Sequence, residues 1–166
     1  ILKYNQDVKS YDIHDWDVIT LIKEDEKCNA NKMDLLILAN RLMTCLDEHI
    51  DFKKIPIIVI ENQPVLKNPK MKSIQMLVYS YFVIHNRHLP NFNIKLFSAR
   101  NKLSVYDGPE IKVESKNKYT IRKKLSIEYT KYMIKDHPEY IDFLTNHKKK
   151  DDLCDCFIQG ACYLQK

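Results

Sequence analysis

The order of apolar segments in this 166-residue chain predicts an α/β fold in which helices cover a central sheet. Two short apolar runs, at 55–60 and 94–97, are bounded by polar residues and have the length of buried strands. Segments with helical spacing of apolar residues separate and follow these runs. The chain length fits one domain, which we predict over residues 1–166.

The first half of the chain contains three predicted strands and one predicted helix. Residues 1–5 read as the remnant of a strand, and the alternation of WDVITLI at 16–22 predicts a strand or sheet edge. A broad apolar stripe predicts a helix at 33–46. The run IPIIVI at 55–60 is typical of a fully buried central strand, with Pro56 tolerated only at its beginning.

The second half is predominantly helical, with one more buried strand at 94–97. A polar stretch at 98–118 predicts a long loop, which in a compact domain is more often functional than accidental. Four helical segments are predicted, at 71–85, 119–135, 140–144 (a short turn) and 151–163.

The helix at 71–85 is also a candidate dimer interface, because it carries more apolar surface than one sheet face needs. The candidates for the interface are Met71, Met76, Tyr79, Tyr81 and Phe82. Ordinary core packing is the competing interpretation and is favoured for Ile74, Leu77 and Val78.

Composition limits the classes of function. The net charge of +5 permits a polyanionic partner without requiring one. With only two glycines, a glycine-rich phosphate loop is excluded. Five cysteines without CxxC spacing predict reduced thiols in an intracellular compartment, and Cys154 and Cys156 point to different sides of a helix, which disfavours zinc. No apolar run approaches the ~20 residues that a membrane span needs, and no organic cofactor is indicated.

Three carboxylates are candidate metal ligands. Glu61 directly follows the strand at 55–60, where α/β folds commonly hold ligands, although a solvated strand end is an equally good interpretation. Asp152 and Asp155 are three residues apart and share one helix face. Capping explains Asp151 and Asp152, but it does not explain Asp155 one turn further on. Oxygen ligands of this kind favour Mg²⁺ or Mn²⁺, as in a two-metal phosphodiester site.

Basic residues in four clusters are candidate DNA contacts. Each cluster taken alone is more often a solvated face, but three of them lie beside candidate site residues or at loop entries, which favours phosphate binding. The candidates are Lys67, Lys70, Lys72, Arg100, Lys102, Arg122, Lys123, Lys124, Lys149 and Lys150.

Three blocks of the chain resemble a known family. IVIENQPVLKNPKMKSIQM at 58–76, SARNKLSVYDGP at 98–109 and KKKDDLCDCFIQG at 148–160 are similar to blocks of the poxvirus and giant-virus Holliday junction resolvases, which are relatives of RuvC. The resemblance covers roughly residues 11 to 164. It implies an RNase H-like fold, a homodimer and Mg²⁺-dependent paired nicking of four-way DNA junctions.

The resemblance also assigns the site. Glu61 matches the family's acid at the second strand end, Asp152 and Asp155 match its two helix acids, and Asp151 is a possible supporting residue. The family's remaining acid lies on a first strand that this sequence lacks, because residues 1–6 resemble the second strand. We therefore expect the intact protein to be active and this chain to be impaired.

Two other interpretations remain open. One is an RNase H-like nuclease of broader substrate range, which uses the same acids. The other is a branched-DNA-binding module without catalysis, which the missing first acid favours. The high frequency of Lys, Asn, Ile and Tyr is typical of proteins from an AT-rich genome, such as that of a large DNA virus. In that case we expect the protein at the cytoplasmic replication site of the infected cell.

Overall fold

The computed structural model describes residues 1–22, 26, 30–115 and 117–165. Within these residues the fold is mixed α/β, with five α-helices and two separate two-stranded sheets. The elements in chain order are β1 (Leu2–Asn5), β2 (Ser10–Ile13), α1 (Leu35–Glu48), β3 (Ile57–Glu61), α2 (Pro69–Asn86), β4 (Asn93–Phe97), α3 (Lys118–Met133), α4 (Pro138–Asn146) and α5 (Lys150–Leu164), with 3-10 helices at Ile50–Lys54 and Ala99–Val105.

The chain divides into two compact units. One combines Ile1–Val18 with Ala99–Lys166, and we call it the split unit. The other is Ile19–Ser98, which we call the continuous unit. The split unit therefore contains β1, β2 and the last three helices, whereas the continuous unit contains the parallel strand pair and its two helices.

Local sequence explains where several helices begin. The side chains of Asp34, Asn68 and Asn117 cap α1, α2 and α3 by accepting hydrogen bonds from backbone N–H groups of the first turn. Pro69 and Pro138 occupy first-turn positions, where the lack of an N–H has no cost.

In the continuous unit, β3 and β4 pair in parallel, from Ile57 opposite Asn93 to Glu61 opposite Phe97. The connection between them runs through α2, as a parallel pair requires. The core of this unit is a cluster of side chains from α1, α2 and β3. Its buried members are Leu42, Leu46, Ile58, Tyr81 and Phe82.

Two sequence-based expectations for this unit are wrong. The strand at 55–60 is not fully buried, because Ile57 is 40% exposed in a sheet that has only two described strands. Tyr81 and Phe82 belong to the core and cannot be dimer-interface residues, since the inner face of α2 covers the sheet. Met71 and Met76 are exposed and Tyr79 is half-buried, so the interface prediction stays open for these three residues.

The split unit packs α5 against an antiparallel pair formed by β1 and β2. Gly160 permits this approach, because a Cβ built there would lie 3.0 Å from Leu2 Cδ2. The ring of Tyr11 on β2 meets that of Phe157 edge to face, with centroids 5.0 Å apart. The buried apolar side of α5 thus anchors the hairpin.

The predicted strand at 16–22 is wrong. No strand forms there, and Trp16 instead donates from its indole Nε1 to the carbonyl oxygen of Leu153 at 3.0 Å. The loop predicted at 98–118 begins with the 3-10 helix Ala99–Val105. The strand β2 was not predicted. The other predicted helices and strands are confirmed, with boundaries that shift by up to two residues.

The cysteine prediction is partly tested. Cys154 is buried and Cys156 is exposed, so the two do point to different sides of α5. Cys45 and Cys162 are free thiols, and Cys28 lies outside the described residues. No helix in the described part of the chain is both long and apolar enough to cross a membrane.

Candidate functional site

The first part of the candidate site is the carboxyl end of β3. Glu61 is the last residue of this strand and is half-buried. The backbone N–H of Asn62 continues the pairing with β4, donating to the carbonyl oxygen of Phe97 at 2.8 Å. The Glu61 carboxylate therefore leaves the sheet at an edge that both parallel strands define.

The turn after Glu61 is held by the buried amide of Gln75 on α2, which is only 4% exposed. Its Oε1 accepts from the backbone N–H of Gln63 at 2.8 Å and from Lys72 Nζ at 3.1 Å. Lys72 Nζ also donates to Asn62 Oδ1 at 2.9 Å. These three bonds join the turn to α2 and fix the direction in which the chain leaves the strand.

The second part of the candidate site is the start of α5, in the split unit. Asp155 accepts a hydrogen bond from Ser126 Oγ on α3 at 2.8 Å, through its Oδ1 atom. Its Oδ2 atom forms an ion pair with Lys102, which is 8% exposed. Ser126 is fully buried, so both oxygens of this carboxylate have partners that water does not readily replace.

Asp151 also has a lysine partner. Its Oδ2 forms an ion pair with Lys123 Nζ on α3. The hydrogen bond from Lys123 lowers the pKa of Asp151 below its ordinary value, and this effect exceeds the opposing effect of desolvation. The same bond raises the pKa of Lys123. Asp152, one residue further on, is exposed.

Two of the three predicted metal ligands lie on one element of the structure. Asp152 and Asp155 are together on α5, but Glu61 belongs to the continuous unit. Among the described residues, no three His, Cys, Asp or Glu side chains form a group that could hold a metal ion. Lys123 and Lys102 form ion pairs with Asp151 and Asp155.

Four of the predicted DNA contacts are buried or half-buried lysines with partners within the protein. Lys102 and Lys123 are in the ion pairs on α5, and Lys72 contacts the turn after Glu61. Lys70 Nζ donates to the backbone carbonyl oxygens of Asn31, at 2.8 Å, and of Met33. These four ammonium groups have structural roles that compete with phosphate binding.

The other predicted contacts lie at the surface. Lys67, Arg100, Arg122, Lys124 and Lys149 are exposed, and Lys150 is half-buried. Arg122 Nη2 donates to the carbonyl oxygen of Arg100 at 2.5 Å, and Lys124 Nζ donates to that of Glu114 at 3.3 Å. These bonds position the cations near the start of α3 and leave them accessible.

The sequence reasoning missed two residues of these networks, Gln75 and Ser126. Gln75 is the second-last residue of the block at 58–76, so its spacing from Glu61 was visible, but nothing showed that its amide turns inward. Ser126 lies one helical turn after Lys123, on the α3 face that meets α5. A buried serine in a mostly polar helix is recognisable only once its partner is known.

Comparison with known proteins gives one informative match. No protein family model matches the chain, and neither does any solved structure. The chain is similar to an uncharacterized protein of Acanthamoeba polyphaga mimivirus, with 41% identity over 130 residues. This match covers 72% of the chain but 31% of the mimivirus protein, so the chain spans about a third of that relative's length. A viral relative is consistent with a virus-related origin.

Proposed function

We propose that this chain is part of a metal-dependent, structure-selective DNA endonuclease that resolves four-way junctions by paired nicking. The observation that carries the proposal is the start of α5, where Asp151 and Asp155 pair with lysines from two other elements and Asp152 is exposed between them. Carboxylates beside cations are what a phosphodiester site needs, because the acids bind metal and the cations bind phosphate.

The fold part of the proposal is an RNase H-like arrangement. An RNase H-like sheet contains antiparallel and parallel pairing, and each described unit contains one two-stranded sheet, antiparallel in the split unit and parallel in the continuous unit. Glu61 at the carboxyl end of a parallel strand has the location that the resemblance implies for the second acid. The resemblance implies a further acid on a first strand, which no residue of this sequence matches. The proposal of cleavage therefore concerns the intact protein.

Mg²⁺ enters the proposal through the resemblance and through the preference of this ion for carboxylate oxygens. In the described arrangement Ser126 and Lys102 each bond to one oxygen of Asp155. Each of these oxygens has a second lone pair, through which the carboxylate could bind a cation beside or in place of these partners. Symmetric nicking would further require a homodimer, since a twofold junction is matched by two sites related by a twofold axis. If the protein is viral, its place of action is the cytoplasmic replication site.

The decisive experiment is cleavage of an end-labelled four-way junction in Mg²⁺, by this chain and by a version extended upstream with its native residues. We expect symmetric nicks from the extended protein and weaker or no cleavage by this chain. Glu61→Gln in the extended protein should abolish cleavage and leave junction binding intact, because only a carboxylate is lost. Flap and RNA–DNA hybrid substrates in parallel reactions test the broader-range nuclease.

If the extended protein cuts no substrate in Mg²⁺ or Mn²⁺, the endonuclease proposal fails. Near-normal cleavage by the Glu61→Gln variant would remove Glu61 from the site while leaving the activity in place. A matched Glu48→Gln variant controls for loss of one negative charge, because Glu48 ends α1 and lies outside the candidate site.

A second candidate function is a branched-DNA-binding module without catalysis. The lysine pairing of Asp151 and Asp155 favours it, because those carboxylates are already neutralised within the protein. Junction binding that persists in EDTA, together with no cleavage by the extended protein, would support this candidate. In the same titrations Lys124→Ala should reduce the salt dependence of binding more than Lys123→Ala, because Asp151 already balances the charge of Lys123.

A further inference from the structure

An exposed aromatic ring lies at the start of α3. Tyr119 is the second residue of this helix and is 65% exposed, the highest exposure among the large aromatic side chains in the described residues. A ring of this size in water loses the free energy that burial would provide. A surface tyrosine with this exposure is therefore available to a ligand that offers a flat apolar face.

The ring is nevertheless held in place. Lys123, one turn along α3, carries its Nζ atom 5.1 Å from the centre of the Tyr119 ring. That same ammonium group is fixed by its ion pair with Asp151 on α5. The orientation of Tyr119 is thus set by a lysine that is anchored beside the candidate site acids, which reduces the entropy lost when a ligand binds.

The surroundings of the ring are cationic. Lys118 and Arg122 are exposed, and they lie directly before Tyr119 and one turn after it on α3. The first turn contains no acidic residue, although the positive end of a helix favours anions. Cations at this end repel the helix dipole, and a bound polyanion would offset the repulsion.

We propose that Tyr119 stacks on an unpaired base of branched DNA while Lys118 and Arg122 contact the flanking phosphates. The proposal rests on the proposed function and deepens it by naming the feature of the substrate that is recognised. An aromatic ring among cations is the combination by which proteins bind single-stranded nucleic acid. In a continuous duplex both faces of each base are covered, whereas an unpaired base at a branch point can offer one.

The test measures binding in EDTA, so that it does not depend on cleavage. Two four-way junctions are compared, one with a single unpaired thymine at the branch point and one with an abasic site in its place. We expect the wild-type protein to bind the thymine junction about tenfold or more tightly than the abasic one. Tyr119→Leu should bind both junctions equally, and Tyr119→Phe should retain the difference because the ring remains.

Phe143→Leu is the matched control, because Phe143 is another exposed aromatic of the split unit, on α4. It should keep the thymine preference, and melting temperatures establish that each variant is folded. If the wild-type protein binds both junctions equally, or if Tyr119→Leu keeps the preference, the stacking proposal is overturned while the endonuclease proposal stands. If the wild-type protein binds no junction at all, both proposals fail.

Discussion

The two units hold their candidate acids in different ways. In the split unit, Asp155 is compensated by a charge, because the ammonium group of the nearly buried Lys102 lies against it. In the continuous unit, the turn that follows Glu61 is fixed mainly by a neutral group, because the amide of Gln75 accepts a hydrogen bond from the backbone of that turn. One arrangement neutralises a carboxylate, and the other sets the geometry of the chain around one.

This difference has a physical consequence for each region. A partly buried ion pair is strong only while both partners remain, because the survivor of a broken pair is a charge without compensation. An amide that accepts two hydrogen bonds contributes less, but its loss leaves a buried N–H group unsatisfied. We therefore expect perturbations of α5 to be larger than those of the turn after β3.

The largest effect is expected from Lys102→Met. Removal of the ammonium group leaves the carboxylate of Asp155, which is 28% exposed, without its cation. We expect a loss of about 3 kcal/mol in the free energy of unfolding, measured by urea denaturation. Adding Asp155→Asn to Lys102→Met should recover part of the loss. Lys118→Met, at an exposed lysine, should change stability little, and an equally stable Lys102→Met variant would contradict the ion-pair interpretation.

A smaller effect is expected from Gln75→Leu. The substitution keeps the volume of a buried side chain and removes the acceptor for the Gln63 N–H and for Lys72. We expect a loss of about 2 kcal/mol, together with faster amide hydrogen exchange at Gln63. Ser80→Ala, at an exposed position of the same helix, is the control. Unchanged exchange at Gln63 would show that the turn is held by other contacts.

The smallest effect is expected from Lys123→Met, and its signature is a dependence on pH. The pKa of Asp151 is lowered in the folded protein, so the pair contributes stability above the ordinary carboxyl pKa and loses it as the pH falls through the folded pKa. Both side chains are partly exposed, which limits the contribution to about 0.5 kcal/mol. Wild type and variant should differ at pH 7 and converge in acid, and a constant difference would exclude Asp151 as the partner.

Regular elements could be predicted because their signals are local. Helical spacing identified α1 to α5, and continuous apolar runs identified β3 and β4. The alternating segment at 16–22 was wrongly predicted to be a strand. Its first apolar residue, Trp16, packs on α5 and does not belong to a strand pair. The hairpin strand β2 is only four residues long and carries too short a pattern to recognise.

The candidate site was predictable as residue types but not as contacts. Acids and lysines were assigned to separate roles, metal ligands on one hand and phosphate contacts on the other. The structure pairs members of the two groups, Lys102 with Asp155 and Lys123 with Asp151. These partners come from elements distant in the sequence, so neither the spacing of the acids nor that of the lysines contains the information.

The division of the split unit along the chain affects the order in which contacts can form during synthesis. Tyr11 accepts a hydrogen bond from Gln165, 154 positions later, and β1 packs against α5. A ribosome adding roughly 5–20 residues per second needs on the order of ten to thirty seconds to bridge that interval. During much of this interval the β1–β2 hairpin is already outside the ribosome, but α5, the helix that covers it, is not yet synthesised. The nascent chain must therefore tolerate an uncovered apolar hairpin, a period in which chaperone binding or aggregation competes with folding.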